Sequence, residues 1–226
     1  INIRNWREYL QPDGGPSSKV IVEGANLFLT PEARAELSNL GVLIFKDSSA
    51  NKCGVICSSF EIIASMNLTE EQFLAIKDRF VEQVLDKLRA LARREAELLS
   101  RLHVHRPQIP LPEMSTRISR VMIRTADAIE AAIDQLQPSD SSMLRQLVID
   151  HLPPVLLETV GPSLWSRTPG TYMKWIMAKS LAARIVYREG FEYLESLPMN
   201  AIADLAVSYF KRESERLRMI EELRKS

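Results

Sequence analysis

Two small polar clusters near the start of the chain carry groups suited to ligand recognition. Gly24-Ala25-Asn26 follows the β-branched run Lys19-Val20-Ile21-Val22-Glu23, and Asp47-Ser48-Ser49-Ala50-Asn51 follows the apolar run Val42-Leu43-Ile44-Phe45. An asparagine amide offers a donor and an acceptor side by side. In an open α/β sheet, ligands bind outside the carboxyl ends of the strands, and both asparagines fall on that side. Each also fits an ordinary turn or cap position. Ser58 adds a hydroxyl that either meets a ligand or bonds back to its own helix.

The remaining chemistry-bearing residues point elsewhere. Cys53 and Cys57 share a helix face, but no other Cys/His cluster lies near and Cys-x-x-x-Cys is not a redox motif, so they read as reduced, semi-buried side chains. His103 and His105 lack a metal-binding spacing and read as loop residues. Arg117, Arg120 and Arg124 share a helix face with Asp127 nearby, which suits a solvated or interface face better than a phosphate grip. Lys52 reads as an exposed or phosphate-proximal cation, because a catalytic amine needs deep burial to lower its pKa. Trp165, Trp175, Tyr172 and Tyr187 read as core or interface anchors. No metal site is expected.

The elements that must position the polar clusters follow from patterning. Residues 1–19 end in Pro, Gly and Ser and read as a loop. The runs at 19–23 and 42–45 read as buried strands. Between them, Thr30 caps a helix, Pro31 suits its first position, and Gly41 ends it. Asp47 opens a helix to about Met66. Thr69-Glu70-Glu71-Gln72 is a capping box before a long helix carrying Phe73, Ile76, Phe80, Val84, Leu88, Leu91 and Leu98 at helical spacing. A loop is predicted from His103 to Pro112, a helix from Ser115 or Thr116, a polar break at 137–142, and helices over 141–152, 154–160, 171–195 and 200–224. The fold class is thus mixed α/β and predominantly α, with two parallel strands and their helices followed by a helical domain.

The chain has 226 residues, with 29 Lys and Arg against 29 Asp and Glu and a hydrophobic share of 46%. Zero formal net charge gives no global field for nucleic acid or a membrane surface, and this hydrophobic share is wrong for disorder. No apolar run approaches the roughly 20 residues of a membrane span. Two cysteines cannot build a disulfide framework, so a reducing, cytoplasmic setting is expected. The first residue is Ile1 and no signal-like segment precedes the fold. Two strands are too few for an independent sheet, so the chain reads as a piece of a longer polypeptide.

Four blocks in order carry a resemblance: Val22-Glu23-Gly24-Ala25-Asn26, Thr30-Pro31-Glu32-Ala33, Gly41 through Asp47, and Ala50-Asn51-Lys52-Cys53-Gly54-Val55 with Ser58-Ser59-Phe60-Glu61. The series resembles the C-terminal part of the cofactor domain of the glutamate dehydrogenase family. It looks closest to the large NAD-specific class, in which Leu-Phe-Leu follows Glu-Gly-Ala-Asn and a Lys follows the later Asn. The stretch from Tyr172 to Gly190 is similar to the helical C-terminus of that class, more weakly.

The resemblance implies an NAD-dependent oxidoreductase of amino acid metabolism that deaminates L-glutamate to 2-oxoglutarate and ammonia. Residues 1–64 would be the C-terminal part of a Rossmann-like NAD-binding domain and 65–226 a helical C-terminal domain. Gly24 and Ala25 would leave room for the cofactor. Asn26 would lie beside the nicotinamide ribose and Asn51 near the nicotinamide or its ribose. Val55 would line the substrate pocket. Ser58 would donate to the side-chain carboxylate of glutamate, a role that relatives acting on leucine, phenylalanine or valine do not need. None of the chain's glycines forms Gly-x-Gly-x-x-Gly, so the pyrophosphate turn is expected upstream. The catalytic Lys and Asp of the family are expected outside this chain, which alone should not catalyse. Where shorter members have Gly-Gly, this chain has Cys53-Gly54, so a side chain at 53 bears on how closely a ligand approaches. Homo-oligomeric assembly is expected, with no nucleic acid or membrane partner. The alternative reading is a helical oligomerisation or regulatory module without catalysis.

Overall fold

The structure, a computed structural model, describes residues 1–134 and 141–225. It is mostly helical, with two parallel strands. The chain divides into two compact units, Ile1–Ser59 with Leu85–Ser119, and Phe60–Val84 with Arg120–Ser226. Among the described residues no helix is long and apolar enough to cross a membrane.

In the first unit, strand β1 (Val20–Val22) crosses over through helix α1 (Pro31–Asn39) to the parallel strand β2 (Leu43–Phe45). Ile21 lies opposite Ile44. Thr30 caps α1 by accepting from the Ala33 N–H at 3.4 Å, and Pro31 stands where no intrahelical N–H is needed. Ala33 and Leu37, one turn apart, face Ile44, Val42, Leu29 and Trp6 in one buried cluster. Trp6 comes from a single 3-10 turn, Trp6–Tyr9, inside the predicted N-terminal loop. The first strand departs from expectation. Only Ile21 turns toward the core, while Val20 and Val22 are 44% and 65% exposed. A parallel strand is buried on both faces only when both are covered, and among the described residues one face of β1 is open.

The helix predicted from Asp47 is two helices, α2 (Asp47–Ala50) and α3 (Lys52–Asn67), broken at Asn51. The capping box opens α4 (Glu70–His105) as expected: the Thr69 N–H donates to Gln72 Oε1 at 3.0 Å and the Gln72 N–H to Thr69 Oγ1 at 3.2 Å. Two boundaries differ. Helix α4 continues through His103 and His105, and α5 (Leu111–Ile133) begins before Ser115. The Pro110 carbonyl accepts from the Glu113 and Met114 N–H groups, so Pro112 falls in the first turn, where its missing N–H costs nothing.

The second unit contains α6 (Ser141–His151), α7 (Pro154–Val160), a 3-10 turn (Gly161–Ser163), α8 (Leu164–Arg167), α9 (Gly170–Glu189), α10 (Phe191–Ser196) and α11 (Met199–Lys225). Helix α9 packs on α6, α10 and α11. Its core includes Leu181, Ile185, Val186, Phe191, Leu194 and Phe210. The single helix predicted over 171–195 is split at Gly190, whose φ of 86° lies in the left-handed region that favours glycine. Trp165, Trp175, Tyr172 and Tyr187 are half-buried and not core residues. The polar break predicted at 137–142 lies outside the described residues up to 140.

Candidate functional site

The turn after β1 is held by a buried carboxylate. The Glu23 side chain is fully enclosed. Its Oε2 accepts from Arg34 Nε at 2.8 Å and from the Asp47 N–H at 3.3 Å. Its Oε1 accepts from Arg34 Nη2 at 3.1 Å and from the Leu29 N–H at 3.2 Å. One side chain therefore ties together the end of β1, helix α1, the start of α2 and the far end of the 24–29 turn. A buried charge is tolerated only when paired and hydrogen-bonded in this way.

Asp47 closes the turn from the other side. Its Oδ2 accepts from the Leu27 N–H at 2.9 Å and its Oδ1 from Lys46 Nζ and the Ser48 N–H, both at 2.8 Å. Burial pushes the Asp47 carboxyl up, but the hydrogen bonds from Lys46, Leu27 and Ser48 outweigh it and hold the group below its ordinary value. Leu27 is bent into the left-handed region with φ 54° and is 82% exposed. That conformation costs a non-glycine residue roughly 1–2 kcal/mol, and the Asp47 contact secures it.

Within this frame the structure brings Asn26 and Asn51 together: Asn51 Nδ2 donates to Asn26 Oδ1 at 2.6 Å. Gly24, Ala25 and Asn26 are exposed. The pairing consumes one donor and one acceptor. Asn26 Nδ2 and Asn51 Oδ1 are left without a hydrogen bond among the described residues. One amide donor and one amide acceptor are the two group types that a primary carboxamide can bond. Gly54 completes the arrangement, since a Cβ there would stand 3.2 Å from Asn51 Oδ1.

Val55 and Ser58 stand three residues apart in α3, so they share one face of that helix. Val55 is 73% exposed. Ser58 is exposed, and its Oγ donates to the Gly54 carbonyl at 3.3 Å. No hydrogen bond links Val55 or Ser58 to the asparagine pair. The Cys53 side chain turns the other way, its Sγ donating to the Leu88 carbonyl of α4 at 3.5 Å. Burial pushes the Cys53 thiol above its ordinary value, with Lys52 opposing and Glu95 adding to the effect.

Residues outside the expected set complete the surroundings. Lys52 Nζ donates to Glu95 Oε1 at 2.8 Å, so it is not a free surface cation. Glu23 lies inside the Glu-Gly-Ala-Asn block but outside the expected site residues, and Arg34 and Glu95 carry no motif in the sequence. Arg124 donates to the Glu195 and Leu197 carbonyls, capping the end of α10, and serves the fold of the second unit. Cys53 and Cys57 are reduced thiols, both half-buried. Among the described residues no group of three or more His, Cys, Asp and Glu could hold a metal ion.

Comparison with known proteins agrees with this region as the informative one. Residues 4–102 match the profile of the family described as Glutamate/Leucine/Phenylalanine/Valine dehydrogenase. "Glutamate dehydrogenase 2" of Dictyostelium discoideum is 30% identical over 223 residues, covering 87% of this chain and 20% of that protein. The "NAD-specific glutamate dehydrogenase" of Neurospora crassa is 32% identical over 195 residues, 79% of this chain and 18% of that one. The protein of the same name in Saccharomyces cerevisiae is 30% identical over 186 residues, 76% of this chain and 17% of that one. The chain thus spans about a fifth of the length of the curated relatives it matches. No solved structure matches it.

Proposed function

We propose that the chain belongs to the glutamate/leucine/phenylalanine/valine dehydrogenase family, whose profile it matches over residues 4–102, and that it is the C-terminal part of an NAD-dependent glutamate dehydrogenase. In this reading β1, α1 and β2 are part of a Rossmann-like sheet. Residues 1–64 belong to the cofactor domain, and 65–226 form a helical domain of a cytoplasmic homo-oligomer. The relatives named NAD-specific support NAD as the cofactor.

The observation that carries the proposal is the Asn26–Asn51 pair, held on a braced turn at the carboxyl ends of two parallel strands. Its open amide groups match the donor and acceptor of the nicotinamide carboxamide. Bound NAD supplies the acceptor for the hydride leaving the α-carbon of glutamate. This chain's contribution is orientation: Asn26 and Asn51 fix the carboxamide and ribose, and Gly24 and Ala25 admit them to the backbone. Ser58 releases its long bond to Gly54 and donates to the side-chain carboxylate of glutamate, with Val55 packing beside the substrate's methylenes. Holding donor and acceptor carbons near contact distance accounts for much of the rate in such transfers. The residues that move the proton and bind the α-carboxylate belong to the rest of the protein.

A purely helical interaction module fits less well for residues 85–119, which fall in the same compact unit as the asparagine pair. The deciding experiment follows glutamate-dependent NADH formation by absorbance in the full-length protein, wild type against Ser58→Ala. We expect activity with glutamate and its collapse in the variant. Activity that survives Ser58→Ala overturns the pocket assignment. A folded protein with no such activity promotes the module reading.

A further inference from the structure

Asn51 occupies the break between α2 and α3, so its direction depends on how that break is held. The residues around it converge on one atom of α4. Ser49 Oγ donates to Glu95 Oε1 at 2.7 Å, and Lys52 Nζ donates to the same oxygen at 2.8 Å. Glu95 is 3% exposed. Two turns earlier on α4, the Leu88 carbonyl accepts from Cys53 Sγ. Residues 49, 52 and 53 are thereby fastened along one face of α4, while Asn51 points away to Asn26.

The hydroxyl protons give this cluster a direction. Ser49 and Ser115 are 2.6 Å apart and Ser48 and Ser115 2.7 Å apart, oxygen to oxygen. An ionised carboxylate only accepts, and each hydroxyl has one proton. Ser49 gives its proton to Glu95, so it accepts from Ser115. Ser115 then has none left for Ser48 and accepts from it. The order Ser48 to Ser115 to Ser49 to Glu95 is the one that satisfies every contact, and it ends on the oxygen that also receives Lys52. Bonds in such a chain polarise one another, and Ser115 is fully buried.

We infer that Glu95 is a positioning residue for Asn51, fixing the turn through Ser49 on one side and Lys52 on the other. This rests on the reading of Asn51 as a nicotinamide contact. It gives the helices beyond the strands a part in the reaction, since Glu95 comes from α4 and Ser115 from α5.

The test is a double-mutant cycle in the full-length protein, reading kcat and KM for NAD together with thermal unfolding. Asn51→Ala is expected to lower kcat/KM for NAD. Glu95→Ala is expected to lower it by up to about a hundredfold, the scale of a roughly 1 Å misplacement in such a site. Glu95→Gln retains most activity, because its carbonyl still accepts from Ser49 and Lys52. Glu95→Ala adds little to Asn51→Ala, since both act through one amide. Losses that multiply in the double variant overturn the inference, as does a Glu95→Ala enzyme that melts earlier with unchanged NAD kinetics. If Glu95→Ala does not fold, Ser49→Ala and Lys52→Met enter the same cycle, each removing one donor. An Asn51→Ala enzyme with wild-type NAD kinetics overturns the site reading itself, a failure distinct from additivity.

Discussion

Asn51 Nδ2 donates to Asn26 Oδ1 at 2.6 Å, joining two turns 25 residues apart in the chain. The contact is exposed, where a neutral hydrogen bond contributes only about 1 kcal/mol. Its consequence is directional: each amide fixes which edge the other presents. Asn26→Asp keeps the acceptor for Asn51 and removes both donors. We expect KM for NAD to rise about tenfold, the scale of one lost hydrogen bond, with little change in the thermal midpoint. Unchanged KM in a folded variant would show that the Asn26 amide does not meet the cofactor.

Gly54 lies against the other end of that pair. Alanine there gains up to about 1 kcal/mol of helix propensity. Its Cβ, however, would sit 3.2 Å from Asn51 Oδ1, closer than the amide accepts without shifting. Gly54→Ala should leave stability equal or higher while raising KM for NAD severalfold. Parallel measurement of urea midpoints and steady-state kinetics separates the two effects. If both stay at wild-type values, Asn51 Oδ1 has no bearing on cofactor binding.

Arg34 sits where its removal does most harm. Both Glu23 oxygens receive its guanidinium, and the Glu23 carboxylate has no exposure to water. Arg34→Met leaves that charge buried and short of a partner, a change that costs on the order of 3–5 kcal/mol. Adding Glu23→Gln should recover part of the loss. Equilibrium unfolding of the single and double variants measures this, and recovery is the outcome that distinguishes charge from packing.

The same residues mark what was legible in sequence. The strand–helix–strand order, the Thr30 cap and the Thr69–Gln72 box are local patterns, and each stands as read. The break at Asn51 was not legible, because nothing in Ser-Ala-Asn-Lys-Cys opposes a continuous helix. It accompanies the anchoring of Ser49 and Lys52 to Glu95, which lies more than 40 residues on. The exposed face of β1 was hidden for a related reason: Val-Ile-Val reads as buried whether or not anything covers its second face. Of the candidate residues, the pairing of Asn26 with Asn51 needed the fold, and the bracing by Glu23, Arg34 and Asp47 needed side-chain geometry.

Asp47 gives the braced turn a dependence on acid. Hydrogen bonds from Lys46, Leu27 and Ser48 outweigh its burial and hold its carboxyl below the ordinary value. A carboxylate lowered in the folded state adds stability that is complete above the unfolded pKa, about 3.9, and is lost as pH falls through the folded value. Asp47→Asn removes that contribution and leaves a side chain that still accepts from the Leu27 N–H. The stability difference between wild type and variant should therefore be constant from pH 7 to about 5 and narrow below about 4. Urea unfolding at a series of pH values reads the difference directly. A gap that stays constant to the lowest pH at which both proteins fold would assign the effect of Asp47 to shape alone, and the Leu27 turn would then owe its left-handed backbone to packing and not to charge.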